Sequence, residues 1–219
     1  MPHNESLKDL AEHIEESLDE AVQSFHFAGN ELCLHVRRDD IVGVLQFLRD
    51  DGECQFRILV DICGVDEPEN KERFEVVYNL LSLSMNQRVR LKVRTDENTP
   101  VPSVTSVFSN AGWLEREVWD MFGVYFSDHT DLRRILTDYG FEGHPLRKDF
   151  PLSGHVQLRY DEDLRRVVYE PVQIDQPFRD FGEISPWEGL TDIQLSGGET
   201  HAPGHGWTPA KKTVGEKDA

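Results

Sequence analysis

The chain of 219 residues carries 23 Lys and Arg against 41 Asp and Glu, a formal net charge of -18, and 38% of its residues are hydrophobic. This negative field repels nucleic-acid phosphates and anionic lipid headgroups, which argues against both kinds of partner. The apolar runs are far shorter than the roughly 20 residues of a transmembrane helix, and no signal or transit peptide is indicated. We therefore expect a cytosolic or already processed protein.

The three cysteines, Cys33, Cys54 and Cys63, are scattered and form no CxxC motif. Such a set is typical of free, buried thiols in a reducing compartment. A cysteine-ligated iron–sulfur cluster needs four thiolates, so this chain cannot supply one in that way.

The first half of the chain alternates between helical and strand patterns. Apolar residues three and four apart predict a helix over residues 5–25, on the stripe Leu7, Leu10, Ile14, Leu18, Val22 and Phe25. Alternation over 32–36 predicts a half-buried strand, and apolar spacing over 41–48 predicts a short helix. Residues 56–63 are apolar on both faces, which indicates a central strand.

Two further strands are predicted over 74–83 and 88–94, and short connections favour an antiparallel meander. The second strand alternates strictly, with its basic residues on the solvent face. A helical stretch is predicted from Ser103 through Phe108, and a last helix over 113–122. The order α-β-α-β-β-β-α-α predicts an α/β (α+β) fold, in which helices cover a four-stranded mixed sheet.

The composition changes near Phe150, and six Pro and eight Gly follow in residues 151–219. We expect one domain over 1–150, an extended interface arm over 151–190 and a mobile tail over 191–219. Aromatic residues continue along the arm, which indicates that it lies on another surface.

Residues 113–150 hold eight aromatic residues, eight acids, five Lys or Arg and two His. Aromatic residues mixed with charges of both signs are typical of the core and rim of a protein interface. A purely structural alternative is open, in which Arg116, Arg133, Arg134 and Arg147 form internal ion pairs that hold irregular loops.

A catalytic or metal-binding alternative has weaker support. Its candidate groups are the carboxylates and imidazoles of Glu115, Glu117, Asp120, His129, Asp131, His144 and Asp149. No His lies at helical spacing from these acids, and no known hydrolase or phosphate-binding motif is present. His201 and His205 are four residues apart, but the Pro-Gly context favours a solvated tail. The isolated His3, His13, His26, His35 and His155 are interpreted as surface or cap residues.

The segment 113–150, the signature segment, also resembles part of a known family. The resemblance rests on Glu115-Arg116-Glu117, Asp120, Phe122-Gly123, His129, Arg133-Arg134, Asp138, His144-Pro145 and Arg147-Lys148-Asp149. It continues through Tyr169-Glu170-Pro171-Val172, Phe178-Arg179 and Ser185-Pro186-Trp187-Glu188 and covers about residues 5–190. The chain resembles the small hydrophilic C subunit of bacterial respiratory complex I, the NADH:quinone oxidoreductase. The mitochondrial counterpart of that family is the iron–sulfur protein 3 subunit.

The resemblance implies a non-catalytic subunit of the peripheral arm that docks on the quinone-site subunit, a relative of the hydrogenase large subunit. The same resemblance implies that FMN, the iron–sulfur clusters and quinone belong to other subunits, that NADH oxidation coupled to proton translocation belongs to the complex, and that this chain holds no cofactor or metal. The implied location is the cytoplasmic side of the bacterial inner membrane, reached only through the complex. Two alternatives are a stand-alone metal-dependent hydrolase and a docking subunit of a membrane-bound hydrogenase.

Overall fold

The computed structural model describes residues 3–18, 20–29 and 31–174. The chain divides into two compact units, which meet in sequence between His155 and Val156. The tail predicted for 191–219, the end of the arm from 175 and the histidines at 201 and 205 lie outside the described residues.

The first helix is shorter than its apolar stripe predicts. α1 spans His3–Leu18 and buries Leu7, Leu10, Ala11 and Ile14. The predicted continuation to Phe25 is wrong, because Val22–Ala28 forms strand β1. β1 pairs with β2, Glu31–Val36, in antiparallel register. Val22 and Phe25 are three residues apart, as on one face of a helix, but Phe25 and Phe27 are two apart, as on one face of a strand. The segment is a strand because it pairs with β2.

The middle of the chain follows the sequence pattern closely. A short 3-10 turn at Arg38–Asp40 leads into α2, Ile41–Asp50. Strands β3, Ile58–Asp66, β4, Phe74–Ser82, and β5, Gln87–Thr95, form the predicted antiparallel meander.

The sheet has five strands in the order β1-β2-β5-β4-β3. β2 and β5 pair in parallel and the other neighbours are antiparallel, so the predicted mixed α/β class is confirmed, with β1 as an additional fifth strand. β3 lies at an edge and not at the predicted centre. The basic side chains of β5 alternate with buried Val89, Leu91 and Val93, as predicted.

The helical stretch predicted from Ser103 to Phe108 is also wrong, since these residues form turns. β6, Val101–Pro102, and β7, Phe126–Ser127, make a short parallel pair that brackets α3, Ala111–Phe122. The start of α3 lies near β3, where the Leu59 carbonyl accepts a bond from Asn110 Nδ2 at 2.9 Å. The end of α3 lies at Gly64, where an added Cβ would overlap the Phe122 ring. The helix therefore runs alongside β3.

The apolar side chains of α1, α2, α3 and the inner face of the sheet form one buried core. No helix in the described ranges is long and apolar enough to cross a membrane. In the second unit, β8, Val156–Asp161, and β9, Arg166–Pro171, form an antiparallel hairpin in the segment predicted to be an extended arm.

Candidate protein interface

The segment 113–150 consists of most of α3, then β7 and a long irregular loop that ends at Phe150. Its charged residues form two sets. One set points inward and holds the loop in place, whereas the other set lies on the outer surface. The inward set accounts for most of the residues that sequence analysis singles out.

Asp120 is fully buried and holds the loop from the side of α3. Its Oδ2 atom accepts the backbone N–H groups of Ile135, Leu136 and Thr137 at 3.0, 2.8 and 3.0 Å. Its Oδ1 atom accepts the Thr137 hydroxyl at 2.7 Å and an Arg134 N–H at 2.9 Å. Burial raises the pKa of Asp120, but the hydrogen bonds from Thr137, Leu136 and Ile135 outweigh it and hold this pKa well below its ordinary value. The carboxylate is therefore a structural anion that organises residues 134–137.

Two arginines complete this attachment. Arg116 of α3 donates to the carbonyl groups of Arg133 and Arg134 at 2.9 and 3.0 Å. Arg134 also donates to the Gly143 carbonyl at 2.9 Å. Because each guanidinium bridges backbone groups far along the chain, the loop keeps one conformation without regular secondary structure.

The residues around His144-Pro145 cap the end of α3. Gly123 adopts a left-handed conformation with φ of 80°. The Asp120 carbonyl accepts His144 Nδ1 at 2.9 Å, and the Phe122 carbonyl accepts Arg147 Nε at 2.6 Å. The Met121 carbonyl accepts the backbone N–H of Leu146 at 3.1 Å. These bonds satisfy carbonyls that a helix end otherwise leaves unpaired, and burial lowers the pKa of His144.

The far end of the loop is joined to the sheet through Asp66. The Asp66 carboxylate accepts the Lys148 backbone N–H at 2.7 Å and binds Arg73 through two bonds at 2.6 and 2.7 Å. Arg73 in turn binds Asp149 at 2.9 Å. The ion pair with Arg73 holds the pKa of Asp66 below its ordinary value. A carboxylate of β3 therefore connects the last turn of the loop to the strands.

Glu115 and His129 approach each other to 3.9 Å, but both side chains are buried. Glu115 accepts the Ser103 hydroxyl and the Val104 N–H, each at 2.7 Å. His129 Nδ1 accepts the Asp131 N–H, which leaves the proton on Nε2 for the Gly112 carbonyl. Burial raises the pKa of Glu115. With these partners, Glu115 and His129 attach α3 to the neighbouring turns, and they do not face an open cleft where a reaction could occur.

The arrangement of the acids and histidines of segment 113–150 does not support the hydrolase alternative. In residues 3–18, 20–29 and 31–174, the one group of three or more possible metal ligands contains no residue of segment 113–150. Of the predicted internal ion pairs, Arg134 binds Asp120 and Arg133 binds Asp131 at 3.0 Å, whereas Arg116 binds backbone carbonyls instead. Arg147 lies 3.4 Å from Glu97, which follows β5 and lies outside the segment 113–150.

Four large apolar side chains, together with the outward charges, form an exposed loop surface, defined by Leu136, Tyr139, Leu146 and Leu152. Their exposed fractions are 61, 96, 55 and 90%, respectively. The polar members Glu117, Arg133, Asp138, Lys148 and Asp149 are exposed as well. Large apolar side chains exposed on a fixed loop that also carries exposed charges have the composition of an interface core with its rim.

The second unit carries another apolar surface, in the segment predicted to be an extended interface arm; the hairpin that presents it was not predicted. In the β8–β9 hairpin, Val156 is opposite Pro171, Leu158 is opposite Tyr169, and Tyr160 is opposite Val167. These six exposed residues share one face, the hairpin apolar face. On the opposite face Glu170 accepts bonds from Gln157 at 2.6 Å and Arg159 at 2.9 Å. The alternation of Val156, Leu158 and Tyr160 is the sequence signal that predicts this strand.

Comparison with known families identifies the chain. The family model for the respiratory-chain NADH dehydrogenase 30 kDa subunit matches residues 34–156. The chain belongs to this family. It is 61% identical over 186 residues to the C subunit of NADH-quinone oxidoreductase from Paramagnetospirillum magneticum, a match that covers 84% of this chain and 94% of the relative. The C subunit from Chelativorans sp. is 59% identical over 196 residues, which cover 90 and 98% of the two chains.

A solved structure adds a more distant relative. One chain of the membrane-bound sulfane sulfur reductase, an archaeal respiratory membrane complex, matches with a TM-score of 0.57 and 26% identity. The match covers 66% of this chain and 85% of the other. As a member of the 30 kDa family, the chain is one of the subunits of complex I, which confirms the resemblance drawn from the signature segment.

Proposed function

We propose that this member of the 30 kDa family is a non-catalytic docking subunit, which attaches to the quinone-site subunit of complex I through the hairpin apolar face and the exposed loop surface. The observation that carries the proposal is the hairpin apolar face. An isolated two-stranded hairpin is at best marginally stable in water, so six exposed apolar residues on one side favour a partner that covers them.

The signature segment supports the same conclusion, because its buried charged residues have structural roles. Asp120, Glu115 and Arg116 are buried and bind backbone groups of this chain. Such residues fix the shape of a surface and leave no group poised for a reaction. The structural neighbour belongs to a sulfane sulfur reductase, whereas the sequence relatives are named for quinone reduction. A fold shared by complexes with different substrates favours a scaffolding role for this subunit.

In this proposal the chain holds no flavin, iron–sulfur cluster or quinone of its own. FMN, the clusters and proton translocation belong to the other subunits, and the chain is held at the cytoplasmic face of the inner membrane by them. Analysis of the purified chain for iron and flavin absorbance tests this point. Stoichiometric iron or bound flavin would contradict it.

Assembly is the direct test of docking. Leu158→Ser changes the hairpin apolar face, whereas Arg166→Ser changes an exposed residue on the opposite face and serves as the matched control. We expect Leu158→Ser to reduce the amount of complex on native gels and to reduce co-purification of the quinone-site subunit. Arg166→Ser should assemble normally, because Arg166 lies on the face of the hairpin opposite the hairpin apolar face.

Quinone reductase activity must be normalised to the amount of assembled complex. We expect this normalised activity to be unchanged in Leu158→Ser. Normal assembly with abolished turnover would show that this chain takes part in catalysis and would contradict the proposed scaffolding role. Normal assembly with normal turnover would show that this face does not dock.

A further inference from the structure

A cluster of three possible metal ligands lies outside the signature segment, between α1 and the turn that follows α2. His13 is on α1, Asp51 comes directly after α2, and Cys54 lies three residues further on. Their ligand atoms all lie within 4.8 Å of one another. The resemblance implies no metal in this chain, but this cluster lies outside the residues that carry the resemblance, and we propose that His13, Asp51 and Cys54 form a Zn²⁺ site that joins the N-terminal helix to the domain.

The donor set has the right chemistry for this ion. One imidazole nitrogen, one carboxylate oxygen and one thiolate sulfur are the ligand types that Zn²⁺ takes in proteins. Three protein ligands with a water molecule complete a tetrahedral site.

The spacing also suits a tetrahedral ion. His13 Nε2 and Asp51 Oδ1 are 3.1 Å apart. Two ligand atoms bound at about 2.0 Å to a tetrahedral ion are ~3.3 Å apart, and a sulfur and a nitrogen ligand are ~3.5 Å apart. The His13–Asp51 pair therefore already has nearly the separation of two zinc ligands. The Cys54 Sγ atom lies within 4.8 Å of both and must come to ~3.5 Å from the His13 nitrogen when the ion binds.

The surroundings orient two of the three ligands. The backbone N–H groups of Glu53 and Cys54 both bind Asp51 Oδ1, at 2.9 and 3.1 Å, which fixes the carboxylate. Glu53 Oε2 lies 3.6 Å from His13 Nδ1, the ring nitrogen that faces away from Asp51. Without an ion, His13 Nε2 donates to Asp51 Oδ1, so an ion at this place takes over the position of that proton. When Nε2 binds the ion, the ring carries its proton on Nδ1, on the side of the Glu53 carboxylate.

The site is accessible and bridges segments distant in sequence. The side chains of His13 and Asp51 are 28 and 23% exposed, so an ion can enter, whereas Cys54 is fully buried. Because His13 and Asp51 are 38 residues apart, an ion bound here stabilises the contact of α1 with the rest of the core. In the sequence His13 is an isolated residue, and only the fold brings these three groups together.

Cobalt(II) is the probe, because a cysteine thiolate bound to Co²⁺ gives a charge-transfer absorption that oxygen and nitrogen ligands do not. The full-length chain without an affinity tag is titrated with Co²⁺, and Zn²⁺ is then added as competitor. We expect one saturable site per chain, with the absorption lost when Zn²⁺ displaces the cobalt. Zn²⁺ should also raise the thermal unfolding midpoint.

Three variants test the assignment. Cys54→Ala should remove the absorption, and His13→Gln should weaken Zn²⁺ binding at least about tenfold. Cys63→Ala is the matched control, because the Cys63 thiol also donates to a carboxylate, Asp61 at 3.0 Å, but belongs to no three-ligand group among the described residues. It should bind cobalt like the unmodified chain.

No thiolate absorption in the unmodified chain would overturn the proposal, and so would an absorption that persists in Cys54→Ala. If circular dichroism shows that Cys54→Ala does not fold, His13→Gln decides. Unchanged Zn²⁺ affinity in that variant would then exclude the site. Loss of binding in both variants, with the control intact, would establish it.

Discussion

The buried carboxylate of Asp120 accepts the backbone N–H of Leu136 at 2.8 Å, so that one helix side chain holds a loop residue 16 positions further along the chain. Leu136 itself is 61% exposed on the loop surface. The residue that fixes the surface and the residue that forms it are therefore different. Mutations of the first change stability, and mutations of the second change docking.

Asp120→Asn should destabilise the first unit strongly. An amide cannot replace the charge that Arg134 and three backbone N–H groups share, and breaking a buried ion pair costs about 3–5 kcal/mol. Urea unfolding of the purified chain measures the change in free energy of unfolding. Glu117→Gln, on an exposed position of the same helix, is the control and should change it by less than about 0.5 kcal/mol. An equal effect of the two variants would contradict the role of Asp120.

The pH dependence of the free energy of unfolding should reflect the buried carboxylates of Asp120 and Asp66. The folded-state pKa values of Asp120 and Asp66 are lowered. Each therefore contributes stability that is present above the ordinary pKa of Asp, about 3.9, and is lost as pH falls through the lower folded-state value. The free energy of unfolding, measured between neutral pH and about pH 2, should fall steeply in the acidic range. Asp120→Asn should flatten this fall, and an unchanged slope would show that Asp120 contributes nothing to it.

Gly123→Ala should be strongly destabilising, whereas Gly43→Ala should be tolerated. Gly123 has a positive φ, and an added Cβ would overlap the Arg147 guanidinium and come within 2.6 Å of His144. The conformation alone costs an L-residue about 1–2 kcal/mol, and the contacts add to that cost. Gly43 lies in α2 with no atom within 4 Å of an added Cβ, so alanine should stabilise by ~0.5–1 kcal/mol. Thermal unfolding midpoints of the two variants should move in opposite directions.

Alanine variants of Arg147 and Arg133 should distinguish an effect on folding from an effect on docking. Arg147→Ala removes the partner of the Phe122 carbonyl, and an unsatisfied buried acceptor costs about 1–3 kcal/mol. Arg133 is 69% exposed and pairs with the exposed Asp131, an interaction worth roughly 0–1 kcal/mol. Both variants are expected to lower the amount of assembled complex, Arg147→Ala through instability of the chain itself. Unfolding of the isolated chain separates the two, and a loss of stability in Arg133→Ala equal to that of Arg147→Ala would contradict this assignment.

The sequence by itself determined the fold class, the strands β2, β4 and β5, helices α2 and α3, and the family. Helical and strand periodicity are local properties, and the basic alternation of β5 shows which face meets solvent. Only the tertiary structure decided that Val22–Ala28 is a strand, because its partner β2 outweighs a helical spacing that local pattern cannot reject.

The role of individual signature residues also required the structure. In sequence, Asp120 and Asp131 are both acids among arginines, but Asp120 is buried beneath backbone and side-chain donors and Asp131 is exposed. The proximity of His13 to Asp51 is another case. Burial and long-range contact depend on how helices and strands pack, and no local pattern encodes which distant group a side chain will meet.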